Sequence, residues 1–148
     1  MEAIILSGIQ GAGKSTFCHE RYWDSHIRIN YEMLRTRHRE KVLLEACLFA
    51  KQSFVVDSTN PTPADRARYL VPAKAAGFRI IGIEFHIDLD LALARNATRL
   101  GKRRIPEKAI RATLKKMVPL SRDEGFEEIL IAEVTASGIE LRKTGHEV

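Results

Sequence analysis

The chain has 148 residues and a formal net charge of +5, with 45% hydrophobic and 29% charged residues. That length suits one well-filled core and is too short for two ordinary domains, so a single domain over residues 1–148 is expected. No apolar run approaches the roughly 20 residues of a membrane span. Met1 leads directly into a strand-like run without a charged n-region or cleavage site, so a cytoplasmic protein with no membrane partner is expected.

Taken in order, Ala3-Ile4-Ile5-Leu6 is a continuous apolar run, the pattern of a central strand buried on both faces. Gly8-Ile9-Gln10-Gly11-Ala12-Gly13-Lys14-Ser15 follows it, and a helix is predicted from about Lys14 to Trp23. Ile27-Arg28-Ile29 reads as a short strand, and helical sequence then runs from about Glu32 to Ala50, with a break near the polar stretch Arg37 to Lys41. Phe54-Val55-Val56 is the next strand and delivers Asp57 at its carboxyl end. Thr62, Pro63 and Asp65 mark a helix start with a reciprocal cap; Pro72 predicts a kink and Gly77 the end.

Arg79 to Phe85 is an isoleucine-rich strand, and Asp88 is placed to cap a helix reaching about Leu100. Leu100 to Ile105 is a basic loop, Pro106 restarts a helix to about Met117, and Ile129-Leu130-Ile131 reads as a fifth strand. Beyond Thr135 only a short strand at Ile139-Glu140-Leu141 and a fraying end suggest themselves. Alternating strands and helices of this kind predict an α/β fold, a three-layer α/β/α sandwich with a five-stranded, mostly parallel sheet.

Cys18 and Cys47 lack the spacing of a zinc or redox pair and read as reduced packing residues. His19, His26, His38, His86 and His146 are scattered without metal spacing, so no structural metal is expected. Between Arg95 and Lys116 nine basic residues face one acid, Glu107, a local charge of +8 that exceeds the charge of the whole chain. Such an excess favours a segment that faces phosphate.

The octapeptide Gly8 to Ser15 fits G-x-x-x-x-G-K-S, a P-loop, which average residue usage produces by chance about 10⁻⁵ times per starting point. Here it sits between a strand and a helix, as the motif requires. Glycines allow the amides of Gly11, Ala12, Gly13 and Lys14 to curl round a phosphate, at the positive end of the following helix. Lys14 is then expected at the β- and γ-phosphates of ATP, Ser15 at Mg²⁺ and Thr16 at the α-phosphate. Asp57 is placed either to hold Mg²⁺ through a water or the Ser15 hydroxyl, or to cap the next helix. A basic segment at about 95–118 lies where small P-loop kinases carry a helical lid.

Three further segments resemble the 5′-hydroxyl polynucleotide kinases and related small bacterial and phage kinases, over about Ile4 to Ile131. Ile29-Asn30-Tyr31-Glu32-Met33-Leu34-Arg35 is similar to their I-N-R-D-x-x-R run, with Glu for Asp and Tyr31 for Arg. The resemblance implies Glu32 as general base and Arg35 as a clamp on the acceptor phosphate; at i and i+3 the two would share a helix face. Tyr31 is also a candidate for stacking on a base. Asp57-Ser58-Thr59-Asn60, with Arg66 on the next helix, is similar to their D-x-T-N stretch and implies Asn60 and Arg66 on the acceptor side. Arg95-Asn96-Ala97-Thr98-Arg99 resembles the start of their lid and implies Arg95 and Arg99 on the donor phosphates.

The expectation is an ATP- and Mg²⁺-dependent kinase with a nucleic-acid hydroxyl as acceptor. A kinase for a nucleoside or sugar acid, and a module that hydrolyses or senses ATP, remain open alternatives. Oligomeric state and donor preference are not legible.

Overall fold

A computed structural model describes residues 1–144. Six strands, β1 (Glu2–Ser7), β2 (Ile27–Ile29), β3 (Phe54–Val56), β4 (Arg79–Ile87), β5 (Glu128–Thr135) and β6 (Gly138–Lys143), form one sheet in the order β2-β3-β1-β4-β5-β6. All neighbours pair in parallel except β5 and β6, which form an antiparallel hairpin. The sheet therefore has one strand more than the five expected. The hairpin turn precedes Gly138, whose φ is 141°, and an Arg142–Glu133 ion pair at 3.1 Å ties the two strands. The expected frayed end, now residues 145–148, and with it His146, lies outside the described residues.

The apolar run of β1 is split by strand alternation between two cores. Ala3 and Ile5 face one side with Leu44, Cys47, Tyr69 and Leu70 from α3 (Arg37–Ala50) and α4 (Pro63–Ala75). Ile4 and Leu6 face the other with Phe17 and Cys18 from α1 (Lys14–Tyr22). Both cysteines are free and buried, and burial pushes the Cys18 thiol up to about 12, so it stays an unreactive packing group. A third cluster, built on Ile9, Ala92 and Ile110, joins the phosphate loop to α5 (Leu89–Ala97) and α6 (Glu107–Lys116). Among the described residues no helix is long and apolar enough to cross a membrane.

Local chemistry explains most element ends. At α4, Thr62 Oγ1 accepts from the Asp65 amide at 3.2 Å while Asp65 Oδ2 accepts from the Thr62 amide at 3.3 Å, the reciprocal cap read from the sequence. Asp88 precedes α5 but makes no side-chain cap hydrogen bond. The long helical stretch breaks earlier than expected. Helix α2 (Tyr31–Leu34) stops at Arg35, whose φ of 75° is left-handed, and Thr36 caps α3 by accepting from the Arg39 amide at 3.1 Å. Glu32 and Arg35 therefore do not share a continuing helix face.

Candidate active site

The phosphate loop crosses the carboxyl end of β1, the edge at which open α/β sheets bind ligands. Gly11 and Gly13 have φ of 84° and 90°, and a Cβ on Gly11 would fall 2.7 Å from the Ala92 carbonyl oxygen. The loop is thus pressed against α5, with no room for a side chain at Gly11. Lys14 is buried, and its Nζ donates to the carbonyls of Gly8 and Ile9, each at 2.8 Å. Loss of water lowers its pKa from 10.5 to about 8, an effect that neighbouring Asp57 opposes and Arg99 reinforces. The amine is folded back on its own loop, a pose that an incoming phosphate can draw out.

Asp57 lies at the end of β3, beside β1, and is 2% exposed. Its Oδ2 accepts the Ser15 hydroxyl at 2.8 Å, and its backbone carbonyl accepts from Asn30 Nδ2 at 2.7 Å. A carboxylate and a hydroxyl converging beside a phosphate loop are the hard oxygen donors that Mg²⁺ takes, so these residues fit that ion. Arg28 also reaches this pair, donating Nε–H to the same Oδ2 at 2.8 Å. The alternation Ile27-Arg28-Ile29 was the only sequence signal of that side chain, a polar residue between two apolar ones.

Two cavities flank the loop. The larger, about 630 Å³, is lined by Thr16, Phe17, Arg95, Arg99 and, from the sixth strand, Ile139 and Leu141. Arg95 Nη2 also donates to the Thr135 carbonyl at 3.2 Å, which joins α5 to the hairpin turn. The basic loop after Arg99 contains a single 3₁₀ turn at Gly101–Arg103. Its far end is pinned by Asn96, which is 5% exposed: its side chain accepts from the Ile105 amide at 2.8 Å and donates to the Ile105 carbonyl.

The second cavity, about 260 Å³, is lined by Gln10, Tyr31, Glu32, Arg37, Thr59 and Arg68 among others. Gln10 of the phosphate loop lines this cavity with Glu32, while Gly13 lines the first with Arg99, so the loop stands between the two spaces. Arg37 lies over Tyr31 with its Cζ 4.1 Å from the ring centroid. That face of Tyr31 is therefore taken by a guanidinium and is not free to stack on a base. Arg37 Nη1 also donates to Glu40 Oε1 at 2.7 Å, and the Tyr69 hydroxyl donates to Glu40 Oε2 at 2.7 Å. Burial, aided by Glu40, pushes Tyr69 up to about 12.

Of three residues expected on the acceptor side, two stand elsewhere and the third, Asn60, borders the cavity. Arg35 caps α2 and does not line this cavity; Arg37, two residues on, does. Arg66 is fully buried, with Nε and Nη2 on the two oxygens of Glu124 at 2.8 Å and Nη1 on the carbonyls of Asn60 and Val118. A guanidinium so enclosed cannot touch a diffusing substrate; it holds α4 to the segment before β5. Asn60 borders the cavity but sends its Nδ2 to the Leu6 carbonyl at 2.8 Å. Its φ of 43° and its side chain serve the backbone next to the loop.

A parallel α/β sheet, a P-loop on its central strand and a helical segment carrying arginines over that loop define a P-loop kinase-like domain. The chain belongs to the family described as AAA domain, which matches residues 28–120. It is 27% identical over 133 residues to the bifunctional polynucleotide phosphatase/kinase of Schizosaccharomyces pombe, covering 86% of this chain and 32% of that protein. The chain thus spans about a third of the length of the curated relative it matches. Its fold is similar to a gluconokinase from Sinorhizobium meliloti 1021, with a TM-score of 0.61 at 15% identity over 90% of this chain and 82% of the other. It is also similar to Kti12 of Chaetomium thermophilum in complex with ADP-AlF3, with a TM-score of 0.62 at 15% identity over 87% of each chain.

Proposed function

We propose that this chain is an ATP-dependent phosphotransferase that moves the γ-phosphate to a hydroxyl of a nucleic acid. The observation that carries it is the place of the phosphate loop between two cavities, Gly11 and Gly13 lining the larger with Arg99, and Gln10 lining the smaller with Glu32. A triphosphate lying along the loop from the larger space presents its terminal phosphorus towards the smaller one. There an alcohol attacks that phosphorus, the bond to the β–γ bridging oxygen breaks, and ADP leaves. Glu32 takes the proton of the attacking hydroxyl. Lys14 and Arg99 balance the charge on the transferring group, the main work a protein does in phosphoryl transfer. Ser15 and the Asp57 carboxylate would hold Mg²⁺, which would supply positive charge to offset that of the phosphates.

Two observations support a nucleic-acid acceptor. Lys102, Arg103, Arg104, Lys108, Lys115 and Lys116 are all exposed, a cationic rim along the segment that follows Arg99. The similarity to the S. pombe phosphatase/kinase points the same way. A second reading, a kinase for a small metabolite, is favoured by the smaller cavity itself: about 260 Å³ suits one sugar or nucleoside. Labelled ATP offered with 5′-hydroxyl oligonucleotides, nucleosides and sugar acids separates the two. Label on oligonucleotides is the expected result, label on a monomer alone selects the second reading, and label on none overturns both.

A further inference from the structure

Asp57 is paired with a cation from outside the phosphate loop. Lys14 precedes Ser15 in the chain, its buried Nζ held on the carbonyls of Gly8 and Ile9. From β2, Arg28 donates Nε–H to Asp57 Oδ2 at 2.8 Å and turns Nη2 to Ser15 Oγ at 3.4 Å. That same Oδ2 accepts the Ser15 hydroxyl. The guanidinium therefore spans the two groups that would hold Mg²⁺. The pair is unequal: the Arg28 side chain is 37% exposed and that of Asp57 2%. Asp57 is enclosed, whereas Arg28 is open to solvent, and among the described residues Met33 Sδ, at 3.7 Å, is the one partner of its Nη1.

We propose that Arg28 is a resident counter-cation that closes the Ser15–Asp57 pair to a free divalent ion and releases it only to a metal arriving with a nucleotide. The proposal rests on the reading of Ser15 and Asp57 as the Mg²⁺ residues. The Asp57 carboxylate is already neutralised by Arg28 before any metal enters, so a bare divalent ion meets a cation in its place. A metal accompanied by a polyphosphate brings more negative charge than its own positive charge, which offsets the loss of the Arg28–Asp57 contact. Until that moment Arg28 is a positioning residue, keeping Oδ2 aligned with the Ser15 hydroxyl. The consequence is an order of binding: nucleotide and metal together, never metal first. Removing one unit of positive charge beside a divalent ion is worth on the order of tenfold or more in affinity at such range.

Mn²⁺ is the probe, followed by electron paramagnetic resonance on the full chain, with and without ADP. The proteins are wild type, Arg28→Met, Arg28→Gln and Arg28→Lys, each first checked for its folded circular-dichroism spectrum. Expected is at least tenfold tighter binding of free Mn²⁺ to Arg28→Met and Arg28→Gln than to wild type, with Arg28→Lys near wild type. Free Mn²⁺ affinity that is unchanged or weaker in the neutral variants overturns the role of Arg28 while leaving the metal residues standing, provided Mn²⁺ binds with ADP. Failure of every protein to bind Mn²⁺ in the presence of bound ADP overturns the assignment of Ser15 and Asp57, and this inference with it. A loss of metal-free ADP affinity in Arg28→Met also overturns it, since Arg28 would then be a phosphate ligand.

Discussion

The Tyr69 hydroxyl donates to Glu40 Oε2 at 2.7 Å, and with that bond a carboxylate only 2% exposed is satisfied from both α4 and α3. Its other oxygen holds Arg37, which in turn covers Tyr31 at the wall of the smaller cavity. Tyr69→Phe removes one donor and leaves a buried carboxylate oxygen without a partner. Such a loss costs about 1–3 kcal/mol. Urea denaturation is expected to show a lower midpoint with an unchanged slope, and the acceptor KM to rise because Arg37 loses its brace.

Lys14 is expected to make nucleotide binding sensitive to alkali. In the folded, nucleotide-free chain its pKa is lowered to about 8 from 10.5, chiefly by desolvation. Between those values the unfolded chain binds more protons than the folded one, so this group's contribution to stability rises with pH from about 8 to 10.5. Function moves the other way, because the neutral amine has no charge to offer a phosphate. ATP affinity is expected to fall above about pH 8, with uptake of up to one proton on binding. Calorimetry at pH 8.5 in buffers of different ionisation enthalpy measures that uptake, and Lys14→Met is expected to abolish it.

Arg66 is predicted to be a structural residue. Arg66→Ala leaves Glu124 half-buried without its partner and strips donors from the carbonyls of Asn60 and Val118. Breaking a buried pair from one side costs about 3–5 kcal/mol. Thermal denaturation is expected to show a large drop, while the acceptor KM of the protein that remains folded stays near wild type. A raised KM with normal stability would return Arg66 to the acceptor side.

The exposed basic rim is expected to act through long-range charge. Each phosphate contact on a single strand adds about 0.7 to the slope of log K against log salt. Lys115→Ala with Lys116→Ala is therefore expected to lower that slope by up to about 1.4 and to weaken all sequences alike. Fluorescence anisotropy of a labelled 5′-hydroxyl oligonucleotide across a salt series reads it directly.

What was legible in the chain follows the range of each interaction. The phosphate loop, the Asp57 at a strand end and the Thr62–Asp65 cap are short patterns whose chemistry is contained within a few residues, and each was readable. The break at Arg35 was not, because nothing in an arginine announces a left-handed backbone; Thr36, three residues before Arg39, was the available sign. Arg66 read as a ligand arginine because its partner, Glu124, lies 58 residues away. Arg28 and Arg37 came to notice only when pairing of β2 with β3 and the restart at α3 set them beside Asp57 and Tyr31. The sixth strand was underweighted because Ile139 and Leu141 alternate over too few residues to fix a register.

Asn96 grips both backbone groups of Ile105, nine residues further along. A noose drawn shut at its neck has little slack, so few arrangements are open to the cationic stretch that it encloses, and Arg99 to Arg104 are kept within a short reach of α5.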